Sequence, residues 1–435
     1  MGYGNAFLGM RGTGDWATDE RPKNWRESIL FLYPNGMSPL TAIMSKMASE
    51  KVDDPQYHWW TKMLQHQGGD VAGNYDDFGL SSEIGSSTRN KGAVVYSKVK
   101  EDVAMHFREG HQVMLREEGD HSSDTVGKVI DVMKNGDNSY VAIKLLQDSQ
   151  ADCGDLDKIL IIGTMNPEGA PMPKAIAYNP VKWYNYTQIF RTPLSITRTA
   201  RNTRLRTADA YKEAKRECLE YHSIEMEKAF LFGYPSEETG DNGKPERSTC
   251  GLVNAIRGTN IAGHAGTGNG GKMADFATDH SSSAWVDAGE EWLDSTLEEI
   301  FRYGSQEKLC FAGSGALLGI NKLVKNKGNF EFKHDTKSYG IKVTEWHTAF
   351  GMINIMTHPL FSFDPVNRHS MVIFEPKDIK FRYITDTTFY PDQDKQNTGR
   401  NRVDGTDEEY LTEAGLEYHH PIGWGYLNNV GVDQD

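Results

Sequence analysis

Residues 207–233 read TADAYKEAKRECLEYHSIEMEKAFLFG, and the rest of the chain can be organised around them. Tyr211, Ala214, Cys218, Tyr221, Met226, Ala229 and Phe230 recur at intervals that place them on one stripe of a helix, while lysine and glutamate fill other positions. Thr207 is the expected N-cap, Asp209 in the first turn complements the helix dipole, and Gly233 with Pro235 beyond it supplies the stop. At 1.5 Å per residue the segment predicts a helix about 35–40 Å long. That is a spine, not the core helix of a small domain.

Upstream, residues 1–68 read as an arm. Asn24 can cap a short helix carrying Ile29, Leu32 and Tyr33 before the break at Pro34-Asn35-Gly36. A second piece runs from Ser38 through Leu40, Ile43, Met44 and Met47, and Tyr57-His58-Trp59-Trp60 reads as a strand. Those aromatics need cover, either from a neighbouring chain or by facing this chain's own core. Residues 69–100, rich in Gly, Ser, Asp and Asn, predict a mobile extended loop. Residues 103–163 predict a small all-β module. Its hairpin joins Val126–Val132 to Tyr140–Leu146 across Asn135-Gly136-Asp137-Asn138, with flanking strands at Phe107–Leu115 and Ile159–Ile162. The chain returns through an extended strand, Trp183 to Phe190.

Downstream, residues 234–284 are rich in Gly and Ser. Asp287 with Glu290 predicts a capping box for a helix carrying Leu293, Leu297, Ile300 and Phe301 and ending at Gly304. Lys308–Gly313 reads as a short buried strand, and Ser314 caps a helix closed by Gly328. Gly340–Trp346 and Met352–Met356 predict a hairpin around Ala349-Phe350-Gly351. Strands follow at Met371–Phe374, at Ile379–Ile384 and near Tyr410–Tyr418. This order implies an α+β fold.

The chain has 435 residues, enough for two or three domains, and a net charge of −14. Such acidity argues against a dedicated nucleic-acid binder, which needs a basic face to displace phosphate counterions. Cys153, Cys218, Cys250 and Cys310 are far apart and predict reduced thiols, with neither a zinc knuckle nor a disulfide framework. The opening MGYGNAFLGMRG lacks the pattern of a signal peptide, and no apolar stretch has the length of a membrane span.

Residues 263–273, GHAGTGNGGKM, fit the phosphate-loop spacing G-x-x-x-x-G-K. The physics of such a loop is missing. Asn260–His264 is a weak strand, Met273 cannot supply a hydroxyl to magnesium, and no strand ending in aspartate stands where a second motif is needed. The expectation is a mobile segment with Lys272 exposed. Glu417 and His420 make a Glu-x-x-His whose neighbours Tyr418, His419 and Pro421 predict a strand end. His222 and Glu225, one helical turn apart, read as a surface or interface pair. No nucleophile elbow or metalloprotease motif appears, so no catalytic residue, cofactor or metal is expected.

The element order, together with local phrases, resembles the tailed-phage major capsid proteins of the Hong Kong 97 type, in the subgroup with a long extended loop. Those phrases are Trp59-Trp60 at the end of the arm, Asn185–Phe190, His222–Gly233, Arg247–Leu252, Phe301–Gly304 and Phe311–Gly313. The resemblance implies an N-terminal arm (1–68), an extended loop (69–203) and a peripheral domain (204–250 and 358–435). It also implies an axial domain (251–357). It further implies self-assembly into hexamers and pentamers in a virion assembled in the host cytoplasm, without membrane contact. Packaged double-stranded DNA would lie nearby without specific binding, and decoration, scaffolding and portal proteins are the other implied partners. Candidate inter-subunit contacts are Trp59, Trp60, Tyr186, Phe190, His222 and Glu225. A lysine crosslink is not carried over, since nothing marks Lys91 or Lys98 as reactive, and a chain beginning at Met1 implies no removal of a scaffold segment. An encapsulin-like shell is the near alternative. A carbohydrate-binding or carbohydrate-active protein, stacking sugars on Trp183 and Trp285, is the alternative from another class.

Overall fold

The computed structural model describes residues 47–62, 67–169, 171–203, 209–258, 270–327, 332–338, 341–391 and 405–433. The arm helices expected near Asn24 and Leu40, the cap at Thr207, most of the glycine loop and the stop at Gly328 lie outside them. The first strands are β1 (Ser49–Lys51), β2 (Gln56–Thr61), β3 (Gly68–Tyr75) and β4 (Val94–Val99), followed by helix α1 (Glu101–Ala104). Next come β5 (His111–Glu117), β6 (Asp120–Met133), β7 (Tyr140–Leu145), β8 (Lys158–Thr164), β9 (Val181–Tyr186) and β10 (Gln188–Thr197). Helices α2 (Arg198–Asn202) and α3 (Ala210–Phe232) precede β11 (Ser236–Thr239), β12 (Pro245–Ser248) and α4 (Leu252–Arg257). Then follow β13 (Lys272–Asp275), α5 (Phe276–Asp279), α6 (Trp285–Phe301), β14 (Glu307–Ala312) and α7 (Ser314–Lys327). The chain continues with β15 (Phe332–Ser338), β16 (Ile341–His347), β17 (Met352–Thr357), α8 (Pro359–Phe363) and β18 (Met371–Phe374). It closes with β19 (Ile379–Tyr390), β20 (Gly405–Tyr418) and β21 (Gly425–Asn428).

Two units result, one made of residues 62–180 and the other of the remainder. The inserted unit is a closed six-stranded barrel in the order β3-β4-β7-β6-β5-β8. Alternation fills it: Val95, Val113, Leu115, Val129, Val141 and Ile143 are fully buried. The expected hairpin is β6 and β7, but the module is larger than 103–163, and the expected loop 69–100 supplies two of its strands. Polar composition misled here because buried polar groups are satisfied internally. Asn74 donates to the carbonyls of Cys153 (2.6 Å) and Leu156 (2.9 Å) and accepts from the Ser97 hydroxyl (2.6 Å). The connecting turn is held by Asp77 Oδ1, which accepts the amides of Ser81 (3.1 Å) and Ser82 (2.8 Å). The expected strand from Phe107 begins instead at His111, with Phe107 buried in the turn before it.

In the larger unit the spine helix α3 lies on β10 and β20. Its cap is Asp209, whose carboxylate accepts the Tyr211 amide at 3.1 Å. It ends at Gly233, where a side chain would run into the carbonyls of Ala229 and Thr249. The buried stripe is Cys218, His222, Met226 and Phe230 at strict four-residue spacing, and Tyr221, expected in the stripe, is 61% exposed. A four-stranded sheet runs β1-β19-β20-β10, with β10 and β20 antiparallel over ten residue pairs from Gln188↔Ala414 to Thr197↔Gly405. A seven-stranded mixed sheet runs β13-β21-β18-β14-β17-β16-β15 and shares a core with α6 and α7. The ribbon of β2 and β9 is antiparallel and pairs Trp59 with Trp183 and Thr61 with Val181.

Helix α6 starts at Trp285, upstream of the expected Asp287–Glu290 box, and its N-cap Ala284 makes no side-chain bond. Trp285 is fully buried and its indole donates to the Gly319 carbonyl at 2.9 Å, so packing sets the start in place of a cap. Lys272, expected exposed, opens β13 and pairs with Glu299 at 2.8 Å while half-buried. Gly271 beside it is required sterically, since a side chain there would meet the carbonyls of Trp424 and Pro421.

One buried charge pair organises the start of β14. The Lys308 ammonium, fully buried, donates to Glu375 Oε1 (2.8 Å) and to the carbonyls of Tyr303 (3.1 Å) and Gly423 (2.9 Å). Glu375 also accepts the Ser305 amide at 2.7 Å and faces Lys377 at 3.0 Å. Burial would raise the Glu375 carboxyl, but hydrogen bonds from Lys308, the Ser305 amide and Lys377 reverse that and hold it below its ordinary value. Lys308→Met, which strands the carboxylate, should cost about 3–5 kcal/mol, read by urea unfolding. Adding Glu375→Gln should recover most of it, and no recovery would show that the loss came from packing.

Candidate functional site

The residues singled out for subunit contact separate by strand alternation and helix phase. Along β2, Tyr57, Trp59 and Thr61 are buried while His58 and Trp60 face out. Trp59 packs edge-on against Tyr418 at 5.2 Å, and the Tyr57 hydroxyl donates to the Leu416 carbonyl at 2.8 Å. Trp60 is 61% exposed, with the Lys182 ammonium 5.9 Å from its ring centre. The own-core reading of the aromatic run therefore holds for Tyr57 and Trp59, while His58 and Trp60 face outward.

The strand expected from Trp183 to Phe190 is broken at Thr187, whose amide donates to the Pro55 carbonyl at 2.8 Å. Before the break, Asn185 joins three segments. Its amide donates to the Leu416 carbonyl (2.7 Å), and its oxygen accepts the amides of Cys250 and Tyr186 (2.8 Å each). Tyr186 is half-buried against Tyr184 at 5.7 Å. After the break, Phe190 is buried edge-on against Phe230 at 5.8 Å, and Ile189 faces out.

His222 corrects the surface-pair reading. It is buried between two strands, with Nδ1 2.9 Å from the Thr192 hydroxyl and Nε2 2.8 Å from the Thr412 hydroxyl. Glu225 is exposed and accepts the Thr192 hydroxyl at 3.3 Å. Trp59, Phe190 and His222 are thus occupied within their own chain, which leaves Trp60, Tyr186 and Glu225 at the outer face.

Glu417 sits in β20, bonded to Arg382 and to His419 (2.7 Å). Burial would raise it, and the bonds from His419 and Arg382 hold it below its ordinary value. His420 follows the strand with a φ of 49°, so the Glu-x-x-His is a strand end. Among the described residues no group of His, Cys, Asp or Glu is placed to hold a metal ion. No disulfide joins the four buried cysteines, and burial pushes the Cys310 thiol up. The proposed sugar platforms are core residues: Trp183 is 3% exposed with its indole donating to Thr61 at 2.7 Å, and Trp285 is 0% exposed. That corrects the carbohydrate reading.

Sequence reasoning missed a second buried pair, Glu227–His358 at 2.7 Å, with both side chains fully buried. It ties the spine helix to the N-cap of α8, where His358 Nδ1 accepts the Leu360 amide at 3.2 Å. The signal was faint, a glutamate one residue past the buried stripe. It also missed the exposed apolar pair Phe363 and Val366, 82% and 76% exposed.

The polar groups described above lock strands and helices together, and the aromatics face outward in part. The family model described as SU10 major capsid protein matches residues 9–431. The major capsid protein of Pseudomonas phage PaMx41 is 24% identical over 428 residues, covering 94% of this chain and 92% of its own. Among solved structures, one from Mycobacterium phage Bobi is 7% identical with a TM-score of 0.45, covering 94% of this chain and 96% of its own. The capsid of a native GTA particle is 8% identical with a TM-score of 0.44, covering 94% of each chain. The SrpI encapsulin of Synechococcus elongatus is 11% identical with a TM-score of 0.37, covering 58% of this chain and 77% of its own. The chain belongs to the SU10 major capsid protein family. Its fold is α+β, in the order inserted β module, spine helix, mixed sheet with helices, and returning long strands.

Burial holds the His222 imidazole below its ordinary value, against the pull of Glu225. The unfolded chain takes up the proton first as pH falls. The stabilisation is therefore full above about pH 6.5 and drains away below it, toward the lowered folded-state value. His222→Gln should flatten the fall in urea-unfolding free energy between about pH 7 and pH 5, and an unchanged slope would place that dependence elsewhere.

Proposed function

We propose that this chain builds the icosahedral head of a tailed double-stranded DNA phage, its copies joining as hexamers and pentamers in the virion after synthesis in the host cytoplasm. Membership of the major capsid family is the observation that carries the reading. Physical features support it. The β2–β9 ribbon has only two strands, a size marginal on its own, and it displays Trp60 outward. Beyond Tyr383, β19 pairs with β20 alone among the described residues, which leaves main-chain groups open along one side. Neighbouring copies would cover both through heterologous contacts that close into rings.

In this reading residues 1–68 are the arm, 69–203 the extended loop carrying the barrel, 204–250 and 358–435 the peripheral domain, and 251–357 the axial domain. Trp60, Tyr186 and Glu225 are the contact candidates that remain. The net charge of −14 would keep packaged DNA from adsorbing tightly. Decoration, scaffolding and portal proteins are further partners of such a shell.

Negative-stain microscopy of expressed protein should show closed particles, and protein that stays monomeric under all conditions would sink the proposal. Trp60→Ala should reduce particle yield while leaving subunit stability within about 0.5 kcal/mol. Trp59→Ala should instead cost about 3–5 kcal/mol of subunit stability.

A further inference from the structure

Strand β6 overhangs the strand beside it. Up to Lys128 it pairs with β5, whereas Val129 and Asp131–Met133 pair only with β7 among the described strands, with Ile130 at the register shift between them. One further bond, from the Gly110 amide to the Val129 carbonyl at 3.0 Å, closes the corner. Across the open side runs a strap, Met165–Ile176, which contains Pro167, Pro171 and Pro173 and, among its described residues, no helix or strand. It is anchored at both ends. The Met165 amide donates to the Gly110 carbonyl (2.8 Å), and the Arg108 guanidinium donates to the Lys174 carbonyl (2.6 Å). Overhang and strap enclose an open cleft of about 690 Å³.

The chemistry of the cleft departs from that of the chain. Ile130, Met165 and Met172 line it and are 40%, 45% and 94% exposed overall. Lys128, Lys134 and Lys174 line it and make no ion pair with any described residue, and Glu109 is the one acidic residue in the lining. In a chain of net charge −14, this is a local concentration of uncommitted positive charge beside aliphatic surface. Arg108 is spent on the strap.

We infer that this cleft docks an extended, acidic polypeptide segment of a partner protein, with small apolar side chains between its carboxylates. Successive side chains of an extended segment point to opposite faces, so one set meets the methionine and isoleucine surface while the other reaches the lysines. Methionine adapts to varied apolar partners, and the overhang adds main-chain groups for pairing. A nucleic acid would meet the lysines too. The exposed lining offers it no aromatic ring for stacking, and its phosphates gain nothing from aliphatic surface. The inference goes beyond the capsid reading and stands on the barrel alone.

The test uses purified full-length protein and a fluorescein-labelled peptide of about eight residues alternating glutamate and valine. Fluorescence anisotropy should show saturable binding that weakens as salt rises, and amide exchange at Ile130–Met133 should slow in the complex. The triple variant Lys128→Glu, Lys134→Glu, Lys174→Glu should lose at least about tenfold in affinity with an unchanged melting curve. Met172→Ser, on the exposed strap, should weaken binding without touching charge and serves if the triple variant misfolds. Parent-like binding by either folded variant would overturn the inference, as would equal binding of a lysine–valine peptide. Tighter binding of a single-stranded oligonucleotide would assign the cleft to nucleic acid. Protection of Ile130–Met133 that grows with protein concentration alone would assign it to a second copy.

Discussion

An imidazole between two threonine hydroxyls holds the larger unit together. The spine helix cannot lie on β10 and β20 without burying His222, and a buried polar group left unsatisfied costs about 1–3 kcal/mol. Thr192 and Thr412 remove that cost at both ring nitrogens, one from each strand. The register of the ten-residue β10–β20 pairing and the rotation of the helix are thereby fixed by one side chain. One turn later the Glu227–His358 pair extends the constraint to the connection after β17, so the helix grips both sheets through polar contacts inside apolar surroundings. Such contacts specify orientation where a purely apolar stripe would tolerate slippage.

The inserted and surrounding units handle strand edges in opposite ways. The barrel closes on itself, which removes edges from all six strands save where β6 outruns its neighbour. Among the described residues, the larger unit leaves edges open in a two-stranded ribbon and along the far half of β19. A protein that must stay apart from its copies would cover those edges with charge, proline or a helix. In the proposed shell, neighbouring copies would take them up.

Much of this was legible in the residues. The spine helix, β14, the β16–β17 and β6–β7 hairpins, and the returning strands β18 to β20 all follow from periodicity and turn chemistry. Boundaries were less so, because a cap motif such as Asp287–Glu290 competes with the packing of Trp285, and packing wins. The split of Tyr57–Trp60 into inward and outward sets obeys the two-residue strand period, yet which parity faces the core depends on β9, distant in sequence. His222 escaped because apolar periodicity assigns no core place to histidine, and its threonine partners lie 30 and 190 residues away. Residues 69–100 were misjudged because glycine and serine look the same in a loop and in a strand whose polar groups are bonded inside a barrel.

The pairing of Thr61 with Val181 carries an implication for how such a chain changes over time. The inserted unit leaves and re-enters the larger one at two residues already held side by side, so whatever lies between them faces an entry gap of constant width. The entropic cost of closing a loop grows only logarithmically with its length, about 0.6 kcal/mol per doubling. The ribbon therefore works as a socket. Barrels of other sizes, or a plain hairpin, could be joined at these two residues while the ribbon keeps its pairing.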